Sequence, residues 1–181
     1  MTEGRATDEE LIRRCQAGEE AAFTALYERH RTAVMRFAHR YVRDRDLAAD
    51  VLQETFAYFF RKIPTWRFEA RVTTLLFQVA RNLSLNLKDR RRVRAAASLD
   101  DVAEVPDGAE PARAAEKADL ARHAREALDT LPDIYREAVT LRILEGLGYE
   151  EIGRILDCPA GTVKSRVHNG LELLRKCPGL G

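Results

Sequence analysis

Apolar side chains recur along this chain three and four positions apart, and no segment alternates with period two long enough to make a strand. A short helix is predicted from Asp8, ending at Gly18. A longer one follows, with Phe23, Leu26, Tyr27, Val34, Phe37, Ala38 and Tyr41 on one stripe; His30 lies beside it and reads as a partly buried structural histidine. Asp44 to Asp46 mark a break. Leu47, Val51, Phe56, Phe59, Phe60 and Ile63 then line a third helix that stops before Pro64. A fourth runs from Arg71 to Arg92 with Val72, Leu76, Val79, Ala80, Leu83 and Leu87 inward. The periodicity then lapses and resumes at Leu120, Ala124, Ala127, Leu128 and Leu131. Pro132 sits in the first turn of a helix whose inward face is expected to carry Ile134, Tyr135, Ala138, Val139, Leu141 and Ile143. The pattern predicts an all-α chain of two small helical domains joined by a flexible linker. Residues 1–10 are expected to be disordered, 11–94 and 118–177 to be the domains, and 95–117 the linker.

The last stretch, Leu147 to Lys176, reads as a short helix, a tight turn and a longer helix. Ile152, Ile155 and Leu156 share one face; Asp157, Cys158 and Pro159 interrupt; Val163, Val167, Leu171 and Leu174 form a second stripe. Thr162, Lys164, Ser165, Arg166, His168 and Asn169 fall on the opposite side, with the donors and acceptors needed to reach base edges and phosphates in a major groove. This is the pattern of a helix-turn-helix with its recognition helix last. A short helical pair with a solvated polar face is the alternative at this point.

Net charge is only +1, which is uninformative until it is divided along the chain. Arg61 to Arg94 holds ten basic and two acidic side chains, a net of +8, whereas Ser98 to Asp119 holds two basic and seven acidic, a net of −5. The linker is therefore acidic, and it follows a basic helix. Trp66 and Phe68 stand just before that helix, flanked by Lys62, Arg67 and Arg71; aromatic rings in a positive setting are surfaces on which unpaired bases stack. They serve equally well as a cap on the helical core. On the helix, Thr74, Gln78, Arg81, Asn82, Leu85, Lys88 and Arg92 are spaced to share the outer face. Arg81, Lys88 and Arg92 can neutralise phosphates, and Gln78 and Asn82 can hydrogen-bond bases.

Catalysis finds little support. Asp50 and Glu54 are one turn apart without a histidine or metal ligand in phase, and no phosphate loop, HExxH or nucleophile elbow is present. The three cysteines, Cys15, Cys158 and Cys177, are too scattered for a disulfide framework or zinc site, and a reducing, cytoplasmic setting is expected. Cys158, near a helix N-terminus, is either a redox-sensitive thiol or a small core residue of the turn. No signal peptide and no membrane-spanning apolar run is visible, so no membrane insertion is expected. No metal or cofactor is expected either.

Four stretches, two in each predicted domain, together resemble the extracytoplasmic-function class of bacterial sigma factors, the dissociable promoter-recognition subunits of RNA polymerase. DLAADVLQETFAYFF, Asp46 to Phe60, is similar to the family's polymerase-binding helix; LLFQVARN, Leu75 to Asn82, is similar to its minus-10-reading helix. LPDIYREAVTLRILEGLGYEEIGRIL and AGTVKSRV resemble the domain that reads the minus-35 element. The resemblance implies a non-enzymatic protein that directs core polymerase to promoters and helps melt the minus-10 element. It implies polymerase contact by Asp50, Gln53, Glu54 and Phe56. It implies minus-10 contact by Lys62, Trp66, Arg67, Phe68, Arg71, Gln78, Arg81, Asn82, Lys88 and Arg92, with Lys62 to Arg71 holding a flipped base. Minus-35 contact falls to Thr162, Lys164, Ser165, Arg166, His168 and Asn169. Core polymerase, promoter DNA and an anti-sigma factor are the implied partners, and the acidic linker is expected to thread the core enzyme. At no more than roughly 3.6 Å per residue it can reach over two turns of duplex of roughly 34 Å each. Three positions depart from the family pattern: Leu75 stands for the usual Trp, Gln78 for a frequent Arg, and Gly148 for the common Ser at the helix-turn-helix N-cap. The competing readings are a free-standing helix-turn-helix regulator, which would need neither the DxxQETF helix nor the aromatic basic loop, and a small thiol or hydrolytic enzyme.

Overall fold

The computed structural model describes residues 6–67, 70–97 and 126–176, and every regular element among them is helical. The chain divides into two compact units, Met1–Asp107 and Gly108–Gly181.

In the first unit α1 spans Asp8–Gln16, α2 Glu20–Val42, α3 Arg45–Lys62 and α4 Val72–Ala97; a 3₁₀ turn, Ile63–Thr65, continues α3. Helix α1 begins at Asp8, where the periodicity predicts it, so its first turn overlaps the stretch expected to be disordered over 1–10. Thr7 is its N-cap: the hydroxyl accepts the Glu10 N–H at 3.2 Å, and the Glu10 carboxylate accepts the Thr7 N–H at 2.6 Å. This reciprocal box satisfies two otherwise orphan donors and fixes the start of the helix. Asp8 then ties α1 to α2, one oxygen 2.6 Å from Arg29 and the other 2.9 Å from Nε2 of His30. Burial pushes the Asp8 carboxyl upward, but the bonds and charge of His30 and Arg29 outweigh it and hold the group below its ordinary value. His30 is buried and paired, the structural role expected of it.

Helix α2 ends where Arg43 turns left-handed, φ 49°, and donates to the carbonyl of His39 at 2.8 Å. Asp44 caps α3 by accepting from the backbone of Asp46 and Leu47 at 3.0 and 3.1 Å. The core gathers Leu26, Val34 and Phe37 from α2, Phe59 from α3, Ile63 from the 3₁₀ turn, and Leu76 and Phe77 from α4. Full burial of each such side chain stabilises by about 1.5–3 kcal/mol. The buried stripe of α4 runs through Val72, Thr74, Leu76, Phe77, Ala80 and Ser84, so Thr74 lies inward rather than on the outer face; Val79, Leu83 and Leu87 are half-buried. Two small hydroxyl residues sit in the stripe, which a reading of apolar positions passes over.

In the second unit a helical segment over 126–129 precedes α5, Asp133–Val139, a π-helical turn, Thr140–Leu144, α6, Tyr149–Leu156, and α7, Ala160–Arg175. Leu128, Leu131 and Val139 form a core against which Leu171 and Leu174 pack. Pro132 is the N-cap of α5. Arg136 reaches back to the carbonyls of Leu128, Asp129 and Leu131 at 3.0, 3.0 and 2.6 Å, satisfying the end of the preceding helical segment. The expected inward face of α5 fails at both ends. Ile134 is 50 % exposed in the first turn, and Ile143 is 57 % exposed because the wider π turn alters the rotation beyond Thr140.

Candidate nucleic-acid interface

Helix α3 separates two faces. Val51, Thr55, Phe56 and Phe59 are buried, while Asp50, Gln53 and Glu54 are exposed and lie within about one turn of each other. Phe56, expected at the polymerase contact, is only 2 % exposed and meets Tyr27 and Phe60 at ring separations of 4.8 and 5.7 Å. It is a core residue that supports the exposed face and is not part of it.

Lys62, Arg67 and Arg71 are exposed around the turn that follows α3; Phe68 lies outside the described residues. Trp66 is half-buried, with its ring edge-on to Phe59 at 6.1 Å, so one side of it caps the core. Lys62 Nζ lies 5.8 Å from the ring centroid of Tyr58. Along α4, Gln78, Asn82, Lys88 and Arg92 are exposed and Arg81 half-buried, and steps of one or two helical turns, from Gln78 to Asn82, Arg81 to Lys88 and Lys88 to Arg92, place them on one polar, basic strip. Arg91, on the same helix, is 3.3 Å from Asp44. The Leu47 and Asp46 backbone N–H groups, helped by Arg91, hold the Asp44 carboxyl below its ordinary value. Asp44 therefore joins the start of α3 to the basic end of α4. Its place before a helix was visible in the sequence, but its partner on α4 was not.

In the second unit, Gly148 caps α6 with half of a capping box: its N–H donates to Glu151 at 2.9 Å, and no side chain answers. Asp157 ends α6 in the left-handed region at φ 52°. The turn closes where the Cys158 N–H donates to Gly153 at 3.0 Å; a Cβ on Gly153 would lie 2.6 Å from the Cys158 carbonyl, so only glycine fits. Pro159 then caps α7. Val163, Val167 and Gly170 face inward, and Thr162, Lys164, Ser165, His168 and Asn169 are exposed as expected. Ser165 donates to the Gly161 carbonyl at 3.1 Å. Arg166 is half-buried, its guanidinium 3.6 Å from Cys158 Sγ, so it braces the turn while bordering the exposed strip. Arg142, not singled out from the sequence, donates to the Leu147 carbonyl at 2.9 Å and stacks on Tyr149 at 4.8 Å, fixing the approach to α6.

Among the described residues no cluster of three or more His, Cys, Asp or Glu is placed to hold a metal. None of the described helices is long and apolar enough to cross a membrane.

Residues 26–101 match sigma-70 region 2, and residues 122–174 match sigma-70 region 4. The ECF RNA polymerase sigma-E factor of Haemophilus influenzae is 33 % identical over 177 residues, which cover 93 % of each chain. That of Escherichia coli K12 is also 33 % identical, over 93 % of this chain and 92 % of its own. The chain belongs to the extracytoplasmic-function class of RNA polymerase sigma factors. As an ECF sigma factor it is a promoter-recognition subunit, working with core polymerase and promoter DNA. Among solved structures, the sigma factor RpoE of Bartonella quintana, crystallised with the anti-sigma factor NepR, superposes with a TM-score of 0.71 at 25 % identity. The match covers 85 % of this chain and 94 % of that one. CnrH, in complex with the cytosolic domain of CnrY, shares the fold at a TM-score of 0.65 and 21 % identity over 93 % and 94 % of the two chains.

Proposed function

We propose that this sigma factor divides its work among three surfaces. Asp50, Gln53 and Glu54 bind a basic element of core polymerase. Lys62, Trp66, Arg67, Arg71 and the strip from Gln78 to Arg92 on α4 bind and open the minus-10 element, with Phe68 assigned to the same loop. The exposed side of α7 binds the minus-35 duplex. The observation that carries the reading is the charge segregation of the first unit. An acidic, polar face on α3 and a basic face on α4 share one helical body, which a reader of duplex DNA alone does not require. Domains over 11–94 and 118–177, with 95–117 threading the core enzyme between them, complete the assignment. The protein acts without chemistry of its own, in the cytoplasm where polymerase is found. An anti-sigma factor holds it in reserve, as NepR is bound to RpoE in the related complex.

Run-off transcription with purified core polymerase, followed by mapping of start sites, tests the proposal. Specific initiation that depends on added protein is expected, with weak binding of the same promoter by the protein alone. Tight sequence-specific duplex binding without polymerase, and no initiation with it, would favour a free-standing regulator.

A further inference from the structure

Gln16, the last residue of α1, reaches a distant part of the chain. Its carboxamide Nε2 donates to the backbone carbonyls of Ile63 at 2.9 Å and Trp66 at 3.3 Å, residues 47 and 50 positions further on. Ile63 also accepts the Trp66 N–H at 3.1 Å, so one carbonyl uses both its lone pairs to hold the turn. Both partners of Gln16 are acceptors, and the contact therefore needs a donor at that position.

The helix that supplies the donor is held at its other end. Asp8 fixes it to Arg29 and His30 of α2, the Thr7–Glu10 box caps it, and Leu11, Ile12 and Cys15 are buried beneath it. The Ile63–Trp66 turn is where the chain leaves α3 for the exposed Arg67 and Arg71. From this geometry we infer that Gln16 is a positioning residue for strand opening. Anchored through α1, it sets the path on which the chain presents Trp66 and the basic residues after it. The inference rests on the proposal that this segment opens the minus-10 element.

The test uses the full-length chain with two substitutions. Gln16→Glu keeps the size and removes both donors; Gln16→Lys restores a donor. Trp66 is the only tryptophan, so acrylamide quenching of its fluorescence reports on this turn directly in the free protein. Quenching should increase for Gln16→Glu and stay near the parent value for Gln16→Lys. In holoenzyme, strand opening followed with 2-aminopurine in the minus-10 element should slow about tenfold for Gln16→Glu, the loss expected for two weak hydrogen bonds, and recover with lysine. Affinity for core polymerase should not change. Opening at the parent rate by Gln16→Glu overturns the inference, as does equal slowing by both variants. If the unmodified chain opens no promoter with core polymerase, the proposed function fails instead, and the quenching comparison still decides whether Gln16 tethers the turn.

Discussion

Two glycines in the second unit do different jobs, and alanine separates them. A Cβ on Gly170 would meet Val139 Cγ2 at 2.6 Å and Tyr135 Cβ at 3.3 Å, where α7 crosses α5. Alanine gains about 1 kcal/mol of helix propensity over glycine, but overpacking a buried contact costs about 1–3 kcal/mol. Gly170→Ala should therefore be destabilising by about 1 kcal/mol in urea unfolding; a stabilised variant would mean that Val139 moves aside freely. At Gly153 the obstacle is the Cys158 backbone carbonyl at 2.6 Å, which cannot rotate away. Gly153→Ala should cost more, about 2–3 kcal/mol, and should weaken minus-35 binding in holoenzyme footprints. In the first unit, Asp8 links stability to pH. Its folded-state pKa is depressed, so its contribution is present at neutral pH and fades as pH falls below the ordinary value of 3.8 and through the folded one. Asp8→Asn should lose about 2 kcal/mol at pH 7, the scale of a hydrogen bond to a charged partner, and the gap should narrow near pH 3. An equal gap at both pH values would assign the loss to packing.

At the level of helices, α3 offers the most direct experiment. Asp50 and Glu54 are exposed on the side opposite Phe56 and Phe59, so reversing their charge should leave the fold intact. Asp50→Lys with Glu54→Lys should lower affinity for core polymerase at least about tenfold, measured by competition for core, and leave the thermal midpoint nearly unchanged. Unaltered core binding would remove this face from the interface. Helix class and order were legible in the sequence because the 3.6-residue stripes are long and uninterrupted in α2 and α3. Other features were not legible, each for a physical reason. Phe56 belongs to a motif that resembles a binding sequence, and the motif cannot say which of its members point inward. Thr74 and Ser84 are buried hydroxyls that a count of apolar positions assigns outward or ignores. The π turn after Thr140 shifts the phase of a continuing pattern, leaving Ile143 and Leu144 exposed where simple periodicity places Ile143 inward. The exposed strip on α7 was fully legible except at Arg166, whose bend toward Cys158 depends on the turn and not on helix phase.

For the molecule as a whole, a net charge of +1 conceals a segment of +8, and that segregation governs how promoter binding should respond to salt. Each phosphate neutralised by a lysine or arginine releases counterions, so its removal lowers the slope of log affinity against log salt by roughly 0.9 on duplex and 0.7 on a single strand. If α4 contacts the phosphates of an opened strand, Lys88→Ala and Arg92→Ala should each reduce the slope for the open complex by about 0.7, largely independent of promoter sequence. Lys164→Ala on α7 should behave differently if its side chain reaches a base edge. It should cost about 1–3 kcal/mol at the preferred minus-35 sequence and relax discrimination there, with the salt slope changed by less than one unit. Lys164 is the cleaner probe than Arg166, whose guanidinium also braces the turn at Cys158, so that its removal would mix recognition with folding. Holoenzyme titrations on a matched and a minus-35-scrambled promoter, at several salt concentrations, measure both quantities together. Equal losses on the two promoters for Lys164→Ala would make it a phosphate contact. Unchanged salt slopes for Lys88→Ala and Arg92→Ala would take the far end of α4 off the DNA and confine minus-10 binding to the loop and the first turns of that helix.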